Sequence, residues 1–259
     1  MKISIIGAGN VAWHLAQALD KSGHEIQQVY SRSIKNAKSL CEKLYIAEPC
    51  TTLDFATSKA TVFILCIPDD VIPYIASQIA VPQASMIVHT SGGTSIEILA
   101  HINNATETGV LYPVQTFTKG INLDLSTVPF CIEGNNEKAE KMLETIAFSI
   151  CENVCYYTSA DRAVLHLAAV FACNFTQHMV NISKYILKKE GLDFVPIMSL
   201  IKETLSKSIA DDEQYQSGPA SRNDLNTMEL HMQLLKKHPD FLQLYKQISQ
   251  SIIHHKTKI

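Results

Sequence analysis

The sequence has no C-x-x-C pair, and nowhere do about 18 apolar residues run together. The first absence argues against zinc ribbons and dithiol redox motifs, and the second leads us to expect no membrane span. Seven cysteines stand scattered at 41, 50, 66, 131, 151, 155 and 173, an odd number that suits reduced thiols better than a disulfide frame. Cys151 and Cys155 are four apart, but no second ligand pair stands at zinc spacing, so no metal site is expected. Basic residues are not in excess: 22 Lys and Arg against 25 Asp and Glu give a net charge of -3, and no global field favours nucleic acid. The N-terminus enters a short strand directly after Lys2, without the apolar core of a signal peptide. These features together lead to the expectation of a cytoplasmic protein.

What is present describes a globular chain, with 46% hydrophobic and 18% charged residues. At 259 residues, two domains are the natural expectation. "KISIIG", "EIQQVYS", "ATVFILCIP" and "SMIVHTS" read as strands, and "GVLYP" and "VPFCIEG" as shorter ones. Helical patterns lie between them, as in "IKNAKSLCEKL", "DDVIPYIASQI" and "NEKAEKMLETIAFSI". This alternation predicts an α/β fold with a doubly wound, mostly parallel sheet. After "ENVCYYT" the strand signals stop. Val164, Leu167, Phe171, Phe175, Met179, Ile182 and Ile186 then form one stripe at helical spacing, and further helices follow to about His254. We therefore expect a Rossmann domain over 1–157 and an all-helical domain over 158–259, with "DDEQYQSGPAS" as a polar loop inside the latter.

The segment "GAGNVA", Gly7 to Ala12, follows the first strand and opens a helix. Gly7 permits a tight turn, Gly9 lets backbone approach a pyrophosphate, and Ala12 lets the helix lie close to the strand. Asn10 and Val11 begin a helix whose N-terminal amides and dipole suit phosphate. An ordinary strand-turn-helix would use the same glycines, but the position at the first strand favours a dinucleotide. About 20 residues on, where NAD-binding chains place an acidic residue on the ribose, stand Ser31, Arg32 and Ser33. A guanidinium and two hydroxyls suit a 2'-phosphate, so NADP is the expected cofactor. A solvated arginine at a strand end is the alternative.

With these motifs in view, the chain resembles Rossmann oxidoreductases that carry a helical C-terminal domain, an architecture shared with pyrroline-5-carboxylate reductase, 6-phosphogluconate dehydrogenase and ketopantoate reductase. It is more closely similar to a group of NADP oxidoreductases of unassigned substrate. "IIGAGNVAWHLA", "ILCIPDDVI", "HTSGGTS", "YPVQTF", "HLAAVFACNF" and "SGPASRNDLNTMELH" carry that resemblance over nearly the whole chain. It implies NADP binding and a homodimer, and supplies no substrate. Two departures stand out. Relatives commonly have His before Pro where this chain has Tyr112, and Val170 stands where the 6-phosphogluconate dehydrogenase branch has the lysine of K-x-x-x-N, with Asn174 matching its asparagine.

Hydride chemistry belongs to a nicotinamide, so the protein must place substrate and manage a proton. Cys66, Ile67, Pro68 and Asp69 at one strand end, and Thr90 and Ser91 at another, are expected to face the cofactor, although turn chemistry explains both segments as well. His166 and Asn174 are the polar residues in the otherwise apolar stretch from Ala163 to Phe175, which suggests burial with partners, His166 as a proton donor or as a hydrogen-bonded core residue. Arg222 could hold a substrate anion, or pair with an acidic neighbour; Ser221 and Asp224 fit a capping box. The candidate catalytic set is Ser91, His166, Asn174 and Arg222, in a crevice expected between the domains. The expected activity is hydride transfer between NADP(H) and a small carbonyl, imine or hydroxy-acid compound, with a noncatalytic NADP sensor as the alternative.

Overall fold

The structure is a computed structural model and describes residues 1–210 and 216–255. The polar loop expected over 211–221 therefore lies partly outside the described residues. Eight strands form one sheet: β1 (Lys2–Ile6), β2 (Glu25–Tyr30), β3 (Glu48–Cys50), β4 (Val62–Leu65), β5 (Ser85–His89), β6 (Ala105–Pro113), β7 (Phe130–Gly134) and β8 (Val154–Tyr156). Their order is β3-β2-β1-β4-β5-β6-β7-β8. Every pairing is parallel except β6 with β7. The expected doubly wound, mostly parallel sheet is thus present. The chain direction reverses its march across the sheet between β1 and β4, the place where such sheets open a ligand crevice.

The reason is visible in the strands themselves. All four residues of β4 and all five of β5 are buried, as expected where helices cover both faces of a parallel sheet. The covering helices are α1 (Asn10–Lys21), α2 (Ile34–Cys41), α3 (Ile72–Gln78) and α4 (Glu137–Phe148). One core joins Leu15 and Leu19 of α1 and Leu143 and Ile146 of α4 to Ile3, Ile5 and Val88. A second, on the opposite faces of the same strands, joins Ile72 and Ile75 to Ile6, Phe63 and Ile87.

The chain divides into two compact units, Met1–Ala172 and Cys173–Ile259. The sequence reading put the boundary at 157/158, where the strand pattern ends. The difference lies in α5 (Ser159–Ala169), which the first unit holds by a buried cation. Arg162 is fully buried at 0% exposure. It donates to Glu133 Oε2 on β7 (2.5 Å), to the carbonyls of Ser91 (3.2 Å) and Thr94 (2.5 Å), and to Ser159 Oγ (3.3 Å).

A six-residue π segment, Val170–Phe175, leads from α5 into α6 (Thr176–Lys189). The second unit adds α7 (Val195–Ile209), α8 (Pro219–Arg222), α9 (Leu225–Leu234) and α10 (Pro239–His255). Among its described residues only Ala220, Ser221 and Ser249 are buried. Val164, Leu167 and Phe171 of the first unit and Phe175, Leu192 and Val195 of the second are exposed, so the stretch from Ala163 to Phe175 is not buried by this chain, contrary to expectation. By length and composition the helix Ser159–Lys189 could cross a membrane (mean hydropathy 1.3), although no uninterrupted apolar run signals it.

Removing one partner of a buried ion pair leaves the other uncompensated, at a cost of about 3–5 kcal/mol. Arg162→Leu should therefore lower the urea midpoint of the sheet-containing unit by a corresponding amount, read by Trp13 fluorescence. A change under about 1 kcal/mol would show that Glu133 and the two carbonyls are satisfied by water instead.

Candidate functional site

The turn after β1 is shaped by two glycines with different reasons for being glycine. Gly7 has φ +123°, and a Cβ there would lie 2.1 Å from the Cys66 carbonyl oxygen at the end of β4. Its backbone is pressed against the neighbouring strand, and its amide donates to Tyr30 O at the end of β2. Gly9 is in ordinary extended geometry (φ -84°), and a Cβ there would meet nothing within 4 Å. No protein atom demands glycine at that position. What it preserves is an open approach to the start of α1, where the amides of the first turn point outward along a positive dipole end. Ala12 is fully buried and Val11 half-buried, holding that end against the sheet. Asn10 Oδ1 accepts from the Lys119 amide (3.2 Å), so its side chain fastens the 119 loop to the helix start.

A cleft of about 140 Å³ continues from this turn, lined by Gly7, Gly9, Ser31, Arg32, Ile67 and Pro68 among others. Arg32 is exposed, and Ser31 Oγ accepts from the Ser33 amide (3.3 Å). Ser33 precedes α2 without making a side-chain cap bond. Ser31 and Arg32 thus line the cleft, and Ser33 follows them at the N-terminus of α2. The donor set and the open Gly9 surface fit a dinucleotide carrying an extra phosphate.

The neighbouring strand ends are more tightly committed. Burial pushes the Cys66 thiol up to about 12, so it stays protonated. Thr90 Oγ1 donates to the Leu65 carbonyl (3.1 Å). Ser91 Oγ accepts from the amides of Gly93 and Thr94 and bonds Thr94 Oγ1 (2.9 Å), so this hydroxyl shapes the turn. Burial, with the Arg162 charge, pushes His89 down to about 4 and keeps its ring neutral. Asp69 is exposed at the start of a short 3₁₀ turn, Asp69–Val71.

His166 stands one helical turn beyond Arg162 and reaches the same Ser91–Thr94 turn. Its Nδ1 is hydrogen-bonded to Tyr112 Oη at 3.2 Å, with the two rings edge to face at 5.9 Å. A Cβ on Gly92 would lie 2.8 Å from His166 Nδ1 and 2.7 Å from Tyr112 Cζ. A Cβ on Gly93 would lie 3.7 Å from both His166 Cδ2 and Asp69 Oδ2. The imidazole is half-buried and is bonded to a hydroxyl, not sealed against a backbone carbonyl.

Asn174 and Arg222 belong to the second unit, and both are exposed. Asp224, not Ser221, caps α9, accepting from the Thr227 amide (3.1 Å), and these bonds hold its carboxyl below the usual carboxylate range. Ser221 Oγ instead donates to the Gln216 carbonyl (2.9 Å). Sequence reasoning missed Arg162 altogether and noted Tyr112 only as a departure from relatives. Among the described residues no cluster of His, Cys, Asp and Glu could hold a metal ion.

Residues 1–114 match a Rossmann-like domain model, and residues 128–252 match a domain of unknown function, DUF2520. A solved structure described as a "putative NADP oxidoreductase" from Bacteroides fragilis is 35% identical, covering 98% of each chain with a TM-score of 0.86. The chain belongs to this family of Rossmann-like oxidoreductases with a DUF2520 region. More distant in sequence, 1-pyrroline-5-carboxylate reductase from Streptococcus pyogenes is 14% identical over 98% of each chain, with a TM-score of 0.62. A reductive aminase from Aspergillus terreus, solved with NADPH, is 14% identical over 98% of this chain and 94% of its own, with a TM-score of 0.67. These last two likenesses are of fold. No curated protein matches the sequence.

The two glycines differ in what a side chain would meet: backbone at Gly7, open space at Gly9. Gly9→Ala should leave the unfolding midpoint nearly unchanged, because its methyl meets no protein atom, yet weaken dinucleotide binding at least tenfold, since 1.4 kcal/mol of lost phosphate approach is one decade. Gly7→Ala should destabilise the fold itself. Equal behaviour of the two variants in a melt and a dinucleotide titration would contradict this division.

Proposed function

We propose that the protein is an NADP(H)-dependent reductase of a small imine or carbonyl compound, or the dehydrogenase that runs the same reaction in reverse. The observation that carries the reading is the joining of Gly9, Ser31 and Arg32 along one cleft at the sheet's switch point. Nothing acidic lines that cleft at the end of β2, so a ribose 2'-phosphate meets a guanidinium and hydroxyls rather than a carboxylate. When bound, the nicotinamide supplies the hydride; Gly9 and the first turn of α1 hold the pyrophosphate and Arg32 the extra phosphate. His166, at the carboxyl edge of the sheet beside Gly92 and Gly93, supplies or removes the proton at the reacting nitrogen or oxygen. The 1-pyrroline-5-carboxylate reductase and the reductive aminase that share the fold support an imine as substrate class.

Titration of the protein with NADPH and NADH tests the cofactor reading. NADPH should bind more tightly by at least tenfold, the worth of one charged hydrogen bond to phosphate of about 1.5–3 kcal/mol. Arg32→Ala should bring the two affinities together. Equal affinities in the unmodified protein would sink the assignment.

We propose further that the functional unit is a homodimer built on the helical unit. An 87-residue unit with three buried residues among those described has no core of its own, and a second copy supplies what its apolar side chains lack. Sedimentation across a dilution series should give a mass near twice 28.7 kDa. A stable monomer in buffer, or a protein recovered only in detergent, would overturn this.

A further inference from the structure

The loop between β6 and β7 brings a cation to the start of α1. On their way from one strand to the other, Phe117, Thr118 and Lys119 each meet a residue at the beginning of that helix. The Phe117 ring packs against the core that holds Leu15 and lies 5.5 Å from the His14 ring. The Thr118 carbonyl is 2.9 Å from His14 Nε2, and because a carbonyl only accepts, that nitrogen carries the proton. The Lys119 amide donates to Asn10 Oδ1 at 3.2 Å. Three consecutive residues are thus fastened to the start of α1, and His14, which holds two of them, is itself buried. The main chain of Lys119 is committed, but its side chain is exposed. The ammonium lies over the Trp13 ring, 4.3 Å from the centroid, and among the described residues it has no acidic partner.

We propose that Lys119 is a pyrophosphate ligand, whose ammonium leaves the face of Trp13 to bind the dinucleotide phosphates at the first turn of α1. This rests on the reading that the cleft beside Gly9 takes NADP(H). Such a ligand brings the charges of its pyrophosphate as well as those of its 2'-phosphate, yet Arg32 is the one cation lining the cleft among the described residues. Arg32 follows β2, whereas the Lys119 backbone is fixed to Asn10, the first residue of α1, where the open amides of the helix start await the pyrophosphate. Trp13 stands one helical turn beyond Asn10, and the flexible four-carbon stem of lysine lets the ammonium turn from the ring to a phosphate. An exposed cation–π contact is weaker than a charged hydrogen bond to phosphate, so the ring holds the ammonium only until the anion arrives. The two cations then divide the work. Arg32 distinguishes NADP(H) from NAD(H), and Lys119 serves the pyrophosphate that both cofactors carry.

Trp13 is the chain's single tryptophan, so its emission reports on the ammonium beside it. The probe is ADP-ribose, which has the pyrophosphate but neither the nicotinamide nor the 2'-phosphate. Its binding should raise Trp13 emission, since a nearby ammonium quenches indole, and Lys119→Met should start bright and show no rise. Lys119→Met should also weaken NADP⁺ and NAD⁺ by the same factor, about tenfold, with its unfolding midpoint unchanged because the side chain is exposed. Lys119→Arg should recover most of that affinity, and binding to Lys119→Met should depend less steeply on salt than binding to the unmodified protein. Unchanged dinucleotide affinity in Lys119→Met, a loss confined to NADP⁺, or an emission rise of equal size in the variant overturns the proposal. If NADP⁺ and NAD⁺ bind the unmodified protein equally, Arg32 loses its role, while an equal weakening of both in Lys119→Met still upholds Lys119. If neither dinucleotide binds, the cofactor reading falls and this proposal falls with it.

Discussion

A single buried guanidinium organises the proposed reacting edge of this protein. Arg162 cannot leave its charge unpaired at 0% exposure, so α5 must stay where Glu133 and the Ser91 and Thr94 carbonyls can meet it. That requirement ties β7, the strand next to the edge strand β8, and the turn after β5 to one helix. His166 inherits its position from the same anchor, one turn further along. The cost of burying the cation is offset by four hydrogen bonds that also set the geometry of a glycine-lined turn.

The cofactor end is governed by a different constraint, the closeness of backbone to backbone at the switch point. Gly7 lies so near Cys66 O that any side chain would push β1 and β4 apart. The same closeness brings the starts of α1 and the segment after β4 to one cleft, with Arg32 at its rim. Polar side chains in this region mostly shape turns, as Thr90 and Ser91 show, and few are left for a ligand. The proposed binding surface then rests on a small set: the open face at Gly9, the Arg32 cluster and the His166 edge.

Much of this was legible in the sequence because parallel strands buried on both faces must read as apolar runs. "VFIL" and "SMIVH" could hardly be anything else, and "GAGNVA" after the first strand located the cleft. The three-residue strand β3 was not legible, since Glu48–Cys50 is too short to show a period. Nor was the extent of the first unit. Arg162 looks like a polar residue near the start of an apolar helix, and only its partners, 29 to 71 residues away, reveal that it faces inward. Tyr112 was hidden for the same reason: its meaning comes from a ring 54 residues on. The apolar segment after Ala163 reads as buried in the sequence, yet its residues are half-buried or exposed in the structure.

The central claim is that NADP(H) lies along the carboxyl edge of the sheet, from the Arg32 cluster past Gly9 to the His166 edge. A crystal structure of the protein with NADP⁺ tests it most directly. The account predicts the 2'-phosphate on Arg32 and the Ser31 and Ser33 hydroxyls, the pyrophosphate over Gly9, and the nicotinamide on the side of the sheet edge where Gly93 and His166 stand. A dinucleotide bound elsewhere, or one whose phosphates avoid both Gly9 and Arg32, would contradict it.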